Sequence, residues 1–101
     1  MAKNLSLNAK KARPVLVTTA HGGVFFGYAT DTNGDTIKLV NARNCVYWSE
    51  DVRGFLGLAA TGPTSLCRVG KAADIELRNI TSVSEVTPGA VMAWEKMPWA
   101  Q

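Results

Sequence analysis

The sequence predicts a small α+β domain dominated by β structure: a strongly bent antiparallel sheet or barrel of about five strands, with one helix after strand three and a short C-terminal helix. Three observations lead there. Short β-branched and aromatic runs recur between glycine-rich turns, Asn33-Gly34 marks a hairpin tip, and only two stretches carry helix-type apolar spacing. A chain of 101 residues fits one core, burying roughly two thirds of its unfolded surface, and leaves no room for a second.

Residues 1–13 read as a flexible basic arm, with Lys3, Lys10, Lys11 and Arg13 but no acid, and residues 14–101 as a single β-rich domain. The remaining 88 residues carry seven basic and eight acidic side chains, so the net charge of +3 is concentrated in the arm. Val15-Leu16-Val17-Thr18-Thr19 is strand one, closed by the turn at Gly22-Gly23. Val24, Phe26 and Tyr28 alternate with Phe25, Gly27 and Ala29 in strand two, and Asn33-Gly34 predicts a type I′ turn into strand three. Gly27, inside a strand, marks a bulge, a bend or the close approach of another backbone. Strand three alternates through Ile37 and Leu39, then breaks at Asn41-Ala42-Arg43-Asn44 before Cys45-Val46-Tyr47-Trp48 resumes, which means either a kink or bulge or a polar site interrupting the sheet.

Ser49 followed by Glu50 and Asp51 reads as a helix start, and Val52, Phe55, Leu56 and Ala59 fall on one helical face. Gly54 and Gly57 weaken that helix and Gly62-Pro63 ends it. Leu66–Val69 is a short strand. Ile75–Arg78 and Ile80–Val86 are strands whose phase shifts near Asn79-Ile80, again requiring a bulge or bend. Thr87-Pro88 reads as cap and first helical position, Val91 and Trp94 share a face, the helix stops before Pro98, and Trp99 implies a tail that docks.

Several chemistries are excluded by residue type. Gly57–Thr64 has the glycine spacing of a phosphate loop, but Pro63 stands where the lysine belongs, removing charge and backbone donor together. Asp31–Asp35 lacks the glycine position of a calcium loop, and Ala42 stands where its bidentate glutamate would be. His21, Cys45 and Cys67 are too few for a zinc site, so no metal and no cofactor is expected. The two thiols read as small buried hydrophobes, a structural disulfide being the rival. No catalytic residue is assigned: His21 has no nucleophile elbow or flanking signature beside it. No apolar run reaches the ~18 residues of a membrane span and the N-terminus lacks a secretion signal, so a cytoplasmic protein is expected.

What remains is the constellation Asn41, Arg43, Asn44, Tyr47 and Trp48. A guanidinium fork suits phosphate or carboxylate, amides read base edges, and the aromatic rings offer stacking faces. The bland alternative has Tyr47 and Trp48 in the core or a subunit interface and Arg43 paired with Asp51 or Asp35.

The runs Gly23-Val24-Phe25, Gly34–Leu39, Asn41-Ala42-Arg43 and Tyr47-Trp48, with Gly57–Pro63, Cys67 and Trp94–Trp99, give the chain a distinctive pattern over residues 14 to 99. In these it resembles a family of short phage and prophage proteins described as a domain of unknown function. The resemblance implies a phage-encoded protein made in the bacterial cytoplasm and transfers no site residue. Together these readings give the expectation of a non-enzymatic, homo-oligomeric accessory module that binds a nucleotide signal of host defence or nucleic acid. The alternative is a structural or inhibitory module that binds a host protein.

Overall fold

The computed structural model describes residues 12–99. The arm assigned to residues 1–13 therefore lies outside the described residues except for its last two. Arg13 already belongs to the sheet: it opens β1 opposite Ala29 and its guanidinium lies 3.5 Å from Glu85.

Six strands and two helices follow in order. They are β1 (Arg13–Thr19), β2 (Val24–Ala29), β3 (Thr36–Tyr47), a 3-10 turn (Glu50–Val52), α1 (Gly54–Ala60), β4 (Arg68–Val69), β5 (Ala73–Arg78), β6 (Ile80–Glu85) and α2 (Pro88–Lys96). All strand pairs are antiparallel, in the order β4-β3-β2-β1-β6, with β5 also pairing with β3. β5 and β6 occupy opposite margins, yet only Asn79 separates them. In a flat sheet those margins would stand about 19 Å apart, four strand spacings, whereas Arg78 and Ile80 can be no more than about 7 Å apart. The sheet is bent until its margins nearly meet. Among the described residues β5 and β6 form no ladder with each other, so it is not closed.

The bend is built from bulges. Asn79 takes φ +59°, and the β1–β6 register shifts between Thr18 and Thr19, leaving Thr81 unpaired. The β2–β3 register shifts at Gly27, where a Cβ would stand 3.0 Å from Leu39 Cβ and 3.2 Å from Ala42 Cα. Gly27 lets β3 cross this close, as its position inside a strand predicts.

Burial on both faces follows from the bend. Val15, Val17, Ala29, Ile37, Leu39 and Leu77 fill the concave side, joined by Phe25, Ile80 and Val83. Leu16, Phe26, Cys45, Val69 and Trp94 form a second core under the helices. The three consecutive residues Val15, Leu16 and Val17 are fully buried because β1 separates the two cores. In β3 the parity changes at Asn41, which takes φ +51° and donates its N–H to Asp74 Oδ1 at 3.0 Å. Ile37, Leu39 and Ala42 face the concave core, whereas Arg43 and Cys45 are buried on the helix side.

Two local expectations change. The chain between β2 and β3 is a six-residue loop rather than a two-residue type I′ turn. Gly34 alone has positive φ, and Asp31 Oδ1 accepts from Asn33 N at 3.0 Å, an Asx turn. The start of β3 is directed toward β5 instead, with Thr36 opposite Arg78. The first helix is also interrupted. Arg53 and Gly54 both adopt the left-handed conformation, so the 3-10 turn and α1 have separate phases. Leu58 is consequently fully buried and Leu56 is 63% exposed. Ser49 makes no capping bond to the turn; its hydroxyl donates to the Asp51 carboxylate. The second helix forms as its sequence predicts, with Thr87 Oγ1 accepting from Ala90 N at 3.1 Å, Pro88 at its start and Trp94 fully buried. Among the described residues no helix is long and apolar enough to cross a membrane.

Gly57 packs so closely that a Cβ there would lie 1.4 Å from the Val52 carbonyl oxygen. Helix propensity alone makes Gly57→Ala a gain of about 1 kcal/mol; the clash makes it a loss of about 2–4 kcal/mol. Gly89, with nothing within 4 Å of its Cβ position, is the control: Gly89→Ala stabilises by about 0.5–1 kcal/mol. Urea denaturation of the two variants checks both signs.

Candidate functional site: a cleft around Arg43

The bulge at Asn41 turns Arg43 toward Phe26, its cross-strand partner, and toward the end of α2. Arg43 is 7% exposed. Its Nε donates to Gly70 O at 2.8 Å, and its Nη1 donates to Trp94 O at 2.7 Å and to Met97 O at 2.6 Å. The two last carbonyls belong to the C-terminal turn and C-cap of α2, which lack intrahelical donors and carry the negative end of the helix dipole. Charge-assisted bonds to them are stronger than neutral ones. Burial lowers the guanidinium pKa, but no carboxylate lies within ion-pair distance among the described residues, and Arg43 pairs with neither Asp51 nor Asp35. Arginine remains charged under such a shift. Its Nη2 has no acceptor among the described residues.

Arg43 lines a cleft of about 390 Å³ between the β2–β3 surface and the segment that follows α2. Phe26 stacks on Trp94 with centroids 5.2 Å apart and planes 6° apart, and Tyr28 meets Phe26 edge-on at 5.4 Å. Phe26 and Tyr28 line the cleft, and Trp94 is fully buried behind Phe26. Tyr28 OH donates to Glu95 Oε2. The far wall is the C-terminal tail: Trp99 forms a parallel bridge with Val69, and Lys71 Nζ lies 5.5 Å from the centre of its ring. Lys71 and Arg43 therefore supply two cations, and Glu95, held by Tyr28, one acid. None of the lining side chains is a serine, cysteine or histidine. A second depression of about 350 Å³ beside the β2–β3 loop is lined by Thr30, Asp31, Thr36, Lys38 and Glu76. All five are exposed, and its two carboxylates are already engaged, Asp31 by Asn33 N and Glu76 by Arg78.

The five residues singled out in the sequence separate here. Asn41 and Arg43 line the cleft. Asn44 is exposed opposite Phe25, and its carbonyl accepts from Gly70 N at 2.8 Å. Tyr47 is exposed opposite Arg68, and Trp48 is half-buried against the helix-side core. Tyr28, Lys71, Glu95 and Met97 reach the cleft from three other segments, which no local pattern joins to the break in β3. The docked Trp99 was the one visible sign that the tail forms a wall. His21 sits exposed on the β1–β2 turn with no hydrogen-bond partner among the described side chains.

Residues 12–94 match the family model described as Domain of unknown function (DUF6948). The chain belongs to this family. Within this DUF6948 chain the matched segment includes Phe26, Tyr28, Asn41, Arg43, Lys71 and Trp94, while Glu95, Met97 and Trp99 follow it. No curated protein and no solved structure matches the chain.

Two predictions follow from these contacts. Replacing Arg43 by alanine leaves three carbonyls without their donor, and Arg43→Lys keeps the charge but cannot span the fork, so both lose about 3 kcal/mol or more in urea denaturation. Burial, together with the bond and the negative charge of Glu95, raises the Tyr28 pKa from its ordinary 10.0. The folded state then holds this proton more tightly than the unfolded chain, so the associated stability is complete below pH 10 and is lost as the pH rises further. Denaturation midpoints at about pH 8 and about pH 11 show that part of the alkaline decline disappearing in Tyr28→Phe.

Proposed function

We propose that this chain is a non-enzymatic binding module whose cleft holds an anionic ligand, a nucleotide, between Arg43, Lys71 and Trp99. The observation that carries this is the buried guanidinium that has, among the described residues, no carboxylate partner and no acceptor for its Nη2, at the edge of a cleft with a second cation and an aromatic wall. Phosphate oxygens accept from Nη2 and from the Lys71 ammonium, and the base lies against Trp99. A bounded cleft of this volume suits a single nucleotide better than a nucleic-acid strand, which needs a continuous groove. Asn41 borders the same space; Asn44, Tyr47 and Trp48 would join it only through a neighbouring copy.

The margins of β5 and β6, unpaired among the described residues, and the exposed Val46 and Tyr47 support a homo-oligomer. The resemblance over residues 14 to 99 supports a phage-encoded accessory protein, made in the bacterial cytoplasm, that sequesters a nucleotide signal of host defence. The two free cysteines accord with a reducing compartment. A second reading, a module that binds a host protein, draws on Val46, Tyr47, Leu56 and Leu66, each more than half exposed.

The test is the ultraviolet spectrum of protein purified from cells, then calorimetric titration with nucleoside mono-, di- and triphosphates and cyclic dinucleotides. Binding of one of them, weakened about tenfold by Lys71→Ala and by Trp99→Ala at unchanged melting temperature, is expected. A clean protein spectrum and no titration heat across the panel favours the interaction module. Light scattering that finds a monomer at micromolar concentration removes the oligomer.

A further inference from the structure

The second core holds two thiols that the cleft does not use. Cys45 lies in β3 directly opposite Val69 of β4, and Cys67 lies in the bend just before β4, in the same buried cluster. Both side chains are buried in the helix-side core and neither is bonded to the other. Their surroundings differ. Cys67 Sγ lies 3.6 Å from Thr64 Oγ1 and 4.0 Å from Ser49 Oγ, within the turn that Cys67 N closes onto Thr64 O at 2.9 Å. Cys45 Sγ instead donates to the Tyr47 carbonyl at 3.6 Å. Burial pushes both thiols up. At Cys67 this is outweighed by hydrogen bonding, first from the backbone of Ser49 and Thr64, whereas Cys45, which also feels the charge of Cys67, is pushed up to about 12.

We propose that Cys67 and Cys45 are an oxidisable dithiol, Cys67 being the thiol that attacks a hydroperoxide and Cys45 the one that resolves the product to a disulfide. The Cys67 thiolate attacks one peroxide oxygen. An S–O bond forms, the O–O bond breaks, and the departing alkoxide, or hydroxide when the oxidant is hydrogen peroxide, takes up a proton and leaves as alcohol or water. Sulfur is oxidised by two electrons and the peroxide reduced by two. Cys45 sulfur then attacks Cys67 sulfur; the S–S bond forms, the S–O bond breaks, and the hydroxyl leaves as water with the Cys45 proton. A disulfide needs Cβ atoms about 4 Å apart, and Cys67, in the bend before β4, stands outside the ladder that fixes Cys45. The closing movement falls on β4, a two-residue strand at the sheet margin whose register already shifts between Cys45 and Tyr47.

The experiment treats the full chain with hydrogen peroxide and follows intact mass and peptide maps. Loss of two hydrogens, a Cys45–Cys67 cross-linked peptide and reversal by dithiothreitol are expected, and in Cys45→Ala a dimedone adduct on Cys67. A chain still fully reduced at a peroxide dose that oxidises a free peptide thiol overturns the proposal, as does cross-linking found only between chains. Alkylation of the folded wild-type protein by iodoacetamide needs no variant: Cys67 reacts at least about tenfold faster than Cys45, and equal rates overturn the assignment of roles.

Discussion

The tertiary arrangement depends on one guanidinium. Arg43 joins the middle of β3, the loop after β4 and the C-terminal end of α2 through three backbone carbonyls. A helix end packed against a sheet leaves carbonyls that need donors, and a buried arginine needs acceptors; here each satisfies the other. Only a planar, multiply donating cation reaches carbonyls from two segments at once, so the position has little tolerance for another side chain. The contact also leaves a positive charge, without an acidic partner among the described residues, beneath the surface of a cleft.

Arg43 reaches that place because the sheet is irregular. A regular strand would send residues 37, 39, 41, 43 and 45 to one face. The left-handed residue Asn41, held by Asp74, shifts the count by one, so Ile37, Leu39 and Ala42 reach the concave core while Arg43 and Cys45 are buried on the helix side. Gly27 permits the matching approach of β2, and Asn79 carries the chain from one margin of the sheet to the other. The same irregularities that bend the sheet position the cleft, which is why the alternation in β3 fails at the residues that line it.

The helix-side core is anchored by Trp94, which stacks on Phe26, donates its indole N–H to Leu58 O at 3.1 Å and offers its own carbonyl to Arg43. Gly62, at φ +84°, lies where a Cβ would meet Ala93 at 2.6 Å, so α1 and α2 approach closely over this ring. The thiols and the cleft are separate features of that core, linked through β4: Cys67 precedes the strand, Val69 bridges to Trp99, and Gly70 holds Arg43.

Much of the fold was legible in the sequence because it rests on local rules. Strand spacing, the Thr87-Pro88 start of α2, the constraint at Gly27 and the phase shift at Asn79 each depend on a few adjacent residues. The hairpin tip and the first helix were misread where local rules were overridden. Asn33-Gly34 favours a tight turn, but the start of β3 is directed to β5. Helical counting from Val52 to Leu56 assumes an unbroken spiral, and the left-handed pair Arg53-Gly54 resets it. The break at Asn41–Asn44 is visible in the sequence, and of Asn41, Arg43, Asn44, Tyr47 and Trp48 the first two line the cleft. Sequence by itself determined the β-dominated class, the caps and the place where the sheet fails. Only the tertiary structure decided that Arg43 serves α2, and that Tyr28, Lys71 and Trp99 share its cleft, because those contacts join segments up to 71 positions apart, from Tyr28 to Trp99, that no local pattern connects.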